Sequence, residues 1–188
     1  MAKRLLTFAF LALAAAAIPV QAQKSDKAQS FGSLENDIYH HNRTGIQFTL
    51  PPDWVIVSQG WASDGAQTVT LRDTVSNEVA LVWLKARIAN PADIPAVMNR
   101  RLDSKAAQRN NFEGYKYRTE SVQNTTIGGR PALSAVADYV RTGQQMVEYL
   151  TWIDGEKSRV LFAARMPAAA LAGFQSRFDT VIQSVVVP

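Results

Sequence analysis

The sequence predicts an α+β domain, in which an antiparallel β-sheet is flanked by helices. Several segments alternate apolar and polar side chains with a period of two, which is typical of half-buried strands. Two other stretches repeat apolar residues at the spacing of a helix. The strand and helix patterns come in blocks instead of alternating one by one. This order favours an antiparallel sheet with helices packed on it over βαβ units.

The amino terminus has the pattern of a secretory signal peptide. Lys3 and Arg4 precede an uncharged apolar run at residues 5–18, and a small-residue cleavage site follows at Ala22. The run is shorter than the roughly 20 residues that cross a bilayer core. We therefore predict that residues 1–22 are removed, and that the remaining chain is periplasmic or secreted and does not span the membrane.

Composition limits the chemistry of the chain. It contains no cysteine, which excludes disulfides, cysteine-linked lipids and thiolate chemistry. The formal net charge of +4 falls to +2 once the two basic residues of the signal peptide are subtracted. Because a nucleic-acid-binding domain is normally strongly basic, with clustered Lys and Arg, we expect no nucleic acid as a partner.

Residues 23–43 are polar and predict a flexible lead-in, and residues 44–188 then form a single domain. Its first strand, residues 46–50, alternates apolar and polar side chains. Pro51-Pro52 ends this strand, because proline cannot donate a backbone hydrogen bond to a neighbouring strand. A short strand at residues 54–57 follows.

The next two strands, residues 67–72 and 78–86, predict a hairpin with a longer loop. The second strand is apolar in both phases, so both faces of the sheet should be covered there. A helix provides one cover, beginning at Asn90-Pro91 with Asp93 in its first turn and ending before Gly114. Its apolar face carries Ile94, Val97, Met98, Leu102 and Ala106.

Four further strands and a second helix complete the domain. A turn-rich segment at residues 124–129 separates the first two strands, and Asp154-Gly155 makes a tight turn before the last, because both residue types tolerate positive φ. The strands are predicted at residues 115–123, 131–140, 145–153 and 158–165. The helix follows Pro167, and its apolar stripe consists of Leu171, Phe174, Phe178, Val181 and Ile182.

No catalytic or metal-binding set emerges from the residue types, and we predict no cofactor and no metal. His40 and His41 are adjacent, so in an extended segment they point in opposite directions. Asp37 with His41 is a conceivable metal pair, but a solvated pair in a linker is the favoured interpretation. Asp138 and Glu148 lie on neighbouring strands and would be the carboxylates of a hydrolase. Outward-facing charges on a sheet explain them better.

Two short segments are candidates for partner binding. Trp61 lies in a polar loop, where a large aromatic side chain has no sheet to pack into. Gly128, Gly129 and Arg130 have the elements of a backbone anion nest, although a turn between two strands is favoured. The helix also has a basic face that either meets an anionic lipid surface or acidic protein, or is simply solvated. This face consists of Arg100, Arg101, Lys105 and Arg109.

Residues 45–54, GIQFTLPPDW, resemble the opening motif of PsbP-like domains, and residues 127–132, IGGRPA, resemble their central turn. The layout from about residue 44 to 188 is similar, with a final helix bearing Phe174 and Phe178. The resemblance implies an α/β/α sandwich. The group includes extrinsic subunits of the photosynthetic oxygen-evolving complex, nuclear-transport GTPase-binding proteins and bacterial envelope proteins. None is an established enzyme class, and no metal-ligand motif of the group has a match here.

Three functions follow as hypotheses. The first is a non-catalytic accessory module of the bacterial envelope, which docks on another envelope protein through Trp61 and the loop from Gly128 to Arg130. The second is a module that binds a small ligand or lipid in a cleft between helix and sheet. The third, and the least favoured, is a hydrolase that uses carboxylates.

Overall fold

The structure, a computed structural model, describes residues 31–86 and 93–188. The predicted signal peptide and the predicted helix start at Asn90-Pro91 lie outside these residues. Within the described residues the chain forms the following elements in order: β1 (Gly32–Glu35), β2 (Ile38–His41), β3 (Gln47–Thr49), β4 (Trp54–Trp61), β5 (Gln67–Asp73), β6 (Val79–Ala86), α1 (Ile94–Ala107), β7 (Glu113–Tyr117), β8 (Gln123–Ile127), β9 (Arg130–Arg141), β10 (Gln144–Asp154), β11 (Ser158–Pro167) and α2 (Leu171–Gln183).

Eight strands form one large antiparallel sheet with the order β4-β5-β6-β11-β10-β9-β7, in which β8 also pairs with β9. Consecutive strands pair within β4-β5-β6 and within β9-β10-β11, and β6 joins the two groups by pairing with β11. The strands β1, β2 and β3 form a separate small sheet. The predicted α+β class is therefore confirmed.

Both faces of the large sheet are covered. The small sheet and α2 lie over one face, where Phe48 of β3 meets Phe162 of β11 with ring centroids 5.8 Å apart. On that face Phe178 of α2 stacks on Trp54 of β4 at 5.5 Å. α1 lies over the opposite face and packs near Trp152 of β10. This is the expected α/β/α sandwich. Neither described helix has the length and apolarity to cross a bilayer.

The lead-in prediction was wrong for residues 32–41, which form the hairpin β1-β2. Its two-residue turn consists of Asn36 and Asp37, with φ of 50° and 63°, and both residue types tolerate the left-handed region. Tyr39 of β2 is fully buried, packs against Phe48 with ring centroids 4.9 Å apart and donates a hydrogen bond to Gln59 at 2.9 Å. Tyr39 thereby anchors the hairpin to the main core.

His41 of β2 is buried and should make the fold sensitive to mild acid. Its Nδ1 lies 2.6 Å from the Thr44 hydroxyl oxygen and 3.3 Å from the Thr44 backbone nitrogen. Burial first, and the Arg43 charge in addition, lower the pKa of His41 from its ordinary value near 6.5. Since the folded pKa is depressed, this contribution to stability is complete above pH 6.5 and is lost as the pH falls toward the folded pKa.

We expect the urea midpoint of the wild type to fall between pH 7.5 and pH 5.5 by more than that of His41→Asn. Asparagine can keep an acceptor near the Thr44 backbone N–H but has no titrating group. If the urea midpoints of the two proteins fall by the same amount over this interval, the titration of His41 does not contribute to the stability of the fold.

The boundaries of several elements differ from the sequence expectation. β4 continues to Trp61, although Ser58-Gln59-Gly60 lacks an apolar alternation. The sequence predicted a strand that ends at residue 123 and a turn at residues 124–129. In the structure residues 123–127 form β8, and the turn is confined to Gly128 and Gly129. The helix α1 ends at Ala107, before Gly114 as expected, but Asp93 is its N-cap residue and does not lie in its first turn.

Candidate functional site

A buried carboxylate lies on the α1 side of the sheet. Glu148 of β10 has a side chain with 0% exposure, and three side chains donate to it. Arg101 of α1 donates through Nε and Nη2 at 3.2 and 2.7 Å, Arg165 of β11 donates through Nε at 2.6 Å, and the Tyr115 hydroxyl donates at 2.6 Å. Burial alone would raise the pKa of Glu148, but the attraction and hydrogen bonds of Arg101, with Arg165 and Tyr115, lower it to about 2.

The basic face of α1 is divided, which corrects its interpretation as one surface. Arg100 and Arg109 are exposed, but Arg101 turns inward to Glu148, and Lys105 is 92% buried, with 8% of its surface exposed. The stripe that was predicted to be apolar also shifts, since Ala106 is exposed. The helix therefore packs partly through cationic side chains, because Glu148 supplies a carboxylate and Trp83 and Phe112 supply aromatic rings.

A pocket of about 260 Å³ opens beside this cluster, between α1 and the sheet. Lys105 Nζ lies 3.9 Å from the centre of the Phe112 ring, and the Arg165 guanidinium lies 5.0 Å from it. Burial first, and then the charge of Arg165, lower the pKa of Lys105 to about 8. The pocket, called the basic pocket below, is lined by Lys105, Gln108, Asn111, Phe112, Tyr139, Arg141 and Arg165.

The charges around the basic pocket are unequal. Arg101, Lys105, Arg141 and Arg165 supply four positive charges, while Glu148, the carboxylate of the adjacent cluster, is already held by Arg101 and Arg165. Within the described residues, Lys105 and Arg141 form no ion pair with a carboxylate. Uncompensated positive charge beside aromatic walls suits an anionic group of a ligand.

The paired-carboxylate hypothesis was wrong, because the two acids lie on opposite faces of the sheet. Asp138 stands opposite Val147 and Glu148 stands opposite Ala137 in the register of β9 with β10, and adjacent positions on a strand alternate between faces. Asp138 instead forms a two-point ion pair with Arg118 at 2.9 and 2.7 Å. The expectation that Glu148 is an outward-facing charge was also wrong, since it is fully buried.

The residues proposed for docking are not brought together. Trp61 is the last residue of β4 and not part of a loop; it is 54% exposed, with its ring 5.3 Å from Phe31 and 5.7 Å from the Arg43 guanidinium. Gly128 and Gly129 form the β8-β9 turn, as favoured. Five strand-to-strand steps separate Trp61 from β9, roughly 24 Å at the usual spacing. The steps pass through Gln67, Leu84, Val160, Ile153 and Ala132.

The turn from Gly128 to Arg130 braces the carboxy-terminal segment. Arg130 Nε donates to the Val187 carbonyl at 2.9 Å, and a Cβ on Gly128 would lie 2.6 Å from the Val185 carbonyl oxygen. Gly128 and Gly129 have φ of 56° and 77°, a combination typical of a type I′ hairpin turn. Whether this turn also contacts a partner stays a prediction.

Gly128→Ala should therefore be more destabilising than Gly129→Ala. Both variants carry the left-handed backbone penalty of about 1–2 kcal/mol, but only the first also collides with backbone, since a Cβ at Gly129 meets nothing within 4 Å. Thermal unfolding of the two variants measures the difference. Equal losses of stability would show that the backbone at Val185 can shift away from the new Cβ without a cost in free energy.

No protein-family model matches the chain, and no curated protein sequence matches it. Solved structures do. The solution structure of cyanobacterial PsbP from Synechocystis superposes with a TM-score of 0.61 at 16% identity, covering 80% of this chain and 91% of the other. The crystal structure of LpqN, involved in cell envelope biogenesis of Mycobacterium tuberculosis, gives 0.51 at 13% identity, covering 77% and 84%. The chain has a PsbP-like fold, as its motifs indicated.

Proposed function

We propose that this chain is an exported, non-catalytic binding module of the bacterial envelope, which holds an anionic group in the basic pocket. The pocket lies between a helix and the sheet, as the small-ligand hypothesis requires. The ligand is a small organic anion or the anionic headgroup of a lipid. A fold shared with LpqN, a protein of cell envelope biogenesis, supports the envelope setting, and the signal-peptide pattern supports export.

The observation that carries the proposal is the unpaired cation Lys105. Burying an ammonium group that no carboxylate contacts costs free energy. Burial and the charges of Arg165 and Arg101 lower the pKa of Lys105, and the attraction of Glu148 offsets them only in part, so the pKa stays depressed at about 8. The Phe112 ring offsets only part of this cost, since a cation–π contact contributes about 0.5–2 kcal/mol. A bound anion would supply the missing negative charge, so the pocket is electrostatically incomplete when empty.

A titration with simple anions tests the proposal. Inorganic phosphate, glycerol phosphate and vesicles containing phosphatidylglycerol are added to the purified protein, and binding is followed by calorimetry and by the unfolding temperature, which a ligand of the native state raises. We expect at least one of the three to bind. A response to vesicles alone would identify a lipid headgroup, and a response to glycerol phosphate in solution would identify a soluble anion.

Arg141→Gln is the variant that should reduce this binding, because Arg141 lines the pocket and no described ion pair depends on it. Loss of one charged hydrogen bond weakens affinity by about 10-fold or more. Arg109→Gln is the matched control, since it removes the same charge from an exposed position outside the lining. If none of the anions binds, or if both variants weaken binding equally, the basic pocket is not the site.

Docking through Trp61 is a second candidate function, and the exposure of this ring favours it. Trp61 is 54% exposed, and its contact with Arg43 leaves an aromatic and a cationic group side by side, a combination enriched in binding hot spots. Trp61→Ala should abolish capture of an envelope protein that the wild type retains, without weakening anion binding. If the wild type and Trp61→Ala capture the same proteins, Trp61 is not a docking residue.

A further inference from the structure

The outer edge of β8 is unpaired in the part of the chain that the structure describes. β8 pairs with β9 through residues 123–127 and with no other described strand. Its first four side chains are exposed, and the strand contains neither charge nor proline: Gln123, Asn124, Thr125, Thr126 and Ile127. An open, uncharged strand edge is a template for pairing with another chain, and proteins usually block it.

The other edges of the large sheet are blocked. In β4 the register with β5 shifts between Ile56 and Ser58, and in β7 the register with β9 shifts between Glu113 and Lys116. A bulge of this kind twists an edge and interrupts its row of hydrogen-bonding groups. β7 also carries the charges of Glu113 and Lys116. β8 pairs with β9 without any shift, so it alone combines a regular edge with an uncharged sequence.

The hairpin geometry fixes which backbone groups of β8 point outward. A two-residue turn joins Ile127 to Arg130, so these two form a hydrogen-bonded pair and the pairs then alternate. Thr126 stands opposite Pro131, which has no N–H, and this agrees with a non-hydrogen-bonded pair there. The N–H and C=O groups of Asn124 and Thr126 consequently face away from β9.

We propose that β8 pairs with β8 of a second copy of this chain, antiparallel about a two-fold axis at Thr125. In this register Asn124 of each copy faces Thr126 of the other, and the outward groups of both residues form four hydrogen bonds. An isologous contact of this kind needs a self-complementary edge, which the sequence from Asn124 to Thr126 provides. The two sheets then continue across the dimer. Because the paired strands are short, the dimer is weak and is best detected by trapping.

Cysteine trapping tests the register, since the chain has no cysteine of its own. In a non-hydrogen-bonded antiparallel pair the Cα atoms lie about 4.5 Å apart, which is within disulfide range. With oxidised glutathione as the oxidant, Thr125→Cys should form a covalent dimer much faster than Gln123→Cys, which would face Ile127 of the other copy. Val75→Cys, at an exposed position in a loop, is the control, because it gives the rate at which random collisions form a disulfide-linked dimer.

Thr126→Pro in the Thr125→Cys background should abolish the trapping. Proline removes an outward N–H at a position where an edge strand tolerates it, and an unchanged unfolding temperature verifies that the domain is intact. The proposal is wrong if Thr125→Cys dimerises no faster than Val75→Cys or Gln123→Cys. Because the basic pocket lies elsewhere on the sheet, anion binding succeeds or fails independently of this result.

Discussion

Glu148→Ala is expected to cost about 3–5 kcal/mol of unfolding free energy, the usual effect of removing one partner from a buried ion pair. The change leaves Arg101 and Arg165 without the carboxylate that both bind, and it leaves the Tyr115 hydroxyl without its acceptor. Lys105 adds a further positive charge close by. Urea unfolding followed by circular dichroism measures the loss, which is a large part of the stability of a typical domain.

Asp138→Ala is the matched control for Glu148→Ala. Asp138 also binds an arginine at two points, but its side chain and that of Arg118 are 30% and 33% exposed, and partly solvated pairs contribute about 1 kcal/mol or less. If the two alanine variants lose the same unfolding free energy, burial does not determine how much the Glu148 cluster contributes to stability. Glu148→Gln separates charge from packing, because it keeps the size of the side chain and loses the negative charge.

The same carboxylate makes the fold sensitive to strong acid. The folded pKa of Glu148 is about 2, below its ordinary value of 4.5. This group therefore contributes its full stability above pH 4.5 and loses it as the pH falls from 4.5 toward 2. A shift of this size corresponds to roughly 3 kcal/mol. Glu148→Gln should lack this step.

The sequence predicted the fold better than it predicted the polar contacts. Alternating apolar residues located most strands, and the PsbP-like motifs at residues 45–54 and 127–132 indicated the sandwich. The hairpin β1-β2 was missed because it is held against the core by Tyr39. This side chain contacts Phe48 and Gln59, which lie later in the chain. Contacts between segments this far apart leave no local pattern in the chain.

The inward orientation of Arg101 and Lys105 was missed for a related reason. A charged residue on an amphipathic helix normally faces water, so periodicity assigned Arg101 and Lys105 to a solvated face. Their inward orientation depends on Glu148, which lies more than 40 positions later on β10. The available signal was Glu148 itself, a charge in the otherwise largely apolar strand 145–153 that an inward cation has to neutralise.

Lys105→Met should affect stability and binding in opposite directions. The substitution removes a cation that lies next to Arg165 and Arg101, keeps a long side chain, and allows a sulfur–aromatic contact with Phe112. At pH 7 we expect the unfolding free energy to stay the same or to rise by about 1 kcal/mol, because an unpaired charge is no longer buried. Affinity for the anion should fall by about 10-fold to 100-fold, the usual effect of one lost charged hydrogen bond.

The pH dependence distinguishes this explanation from a simple packing effect. The folded pKa of Lys105 is about 8, below its ordinary value of 10.5, so the unfolded chain binds more protons between these values and wild-type stability should rise from pH 8 to pH 10.5. Lys105→Met should lack that rise. Anion affinity of the wild type should weaken above pH 8, where the ammonium group loses its proton. A variant that is destabilised at pH 7 yet binds the anion normally would show that Lys105 serves the packing of α1 and not a ligand.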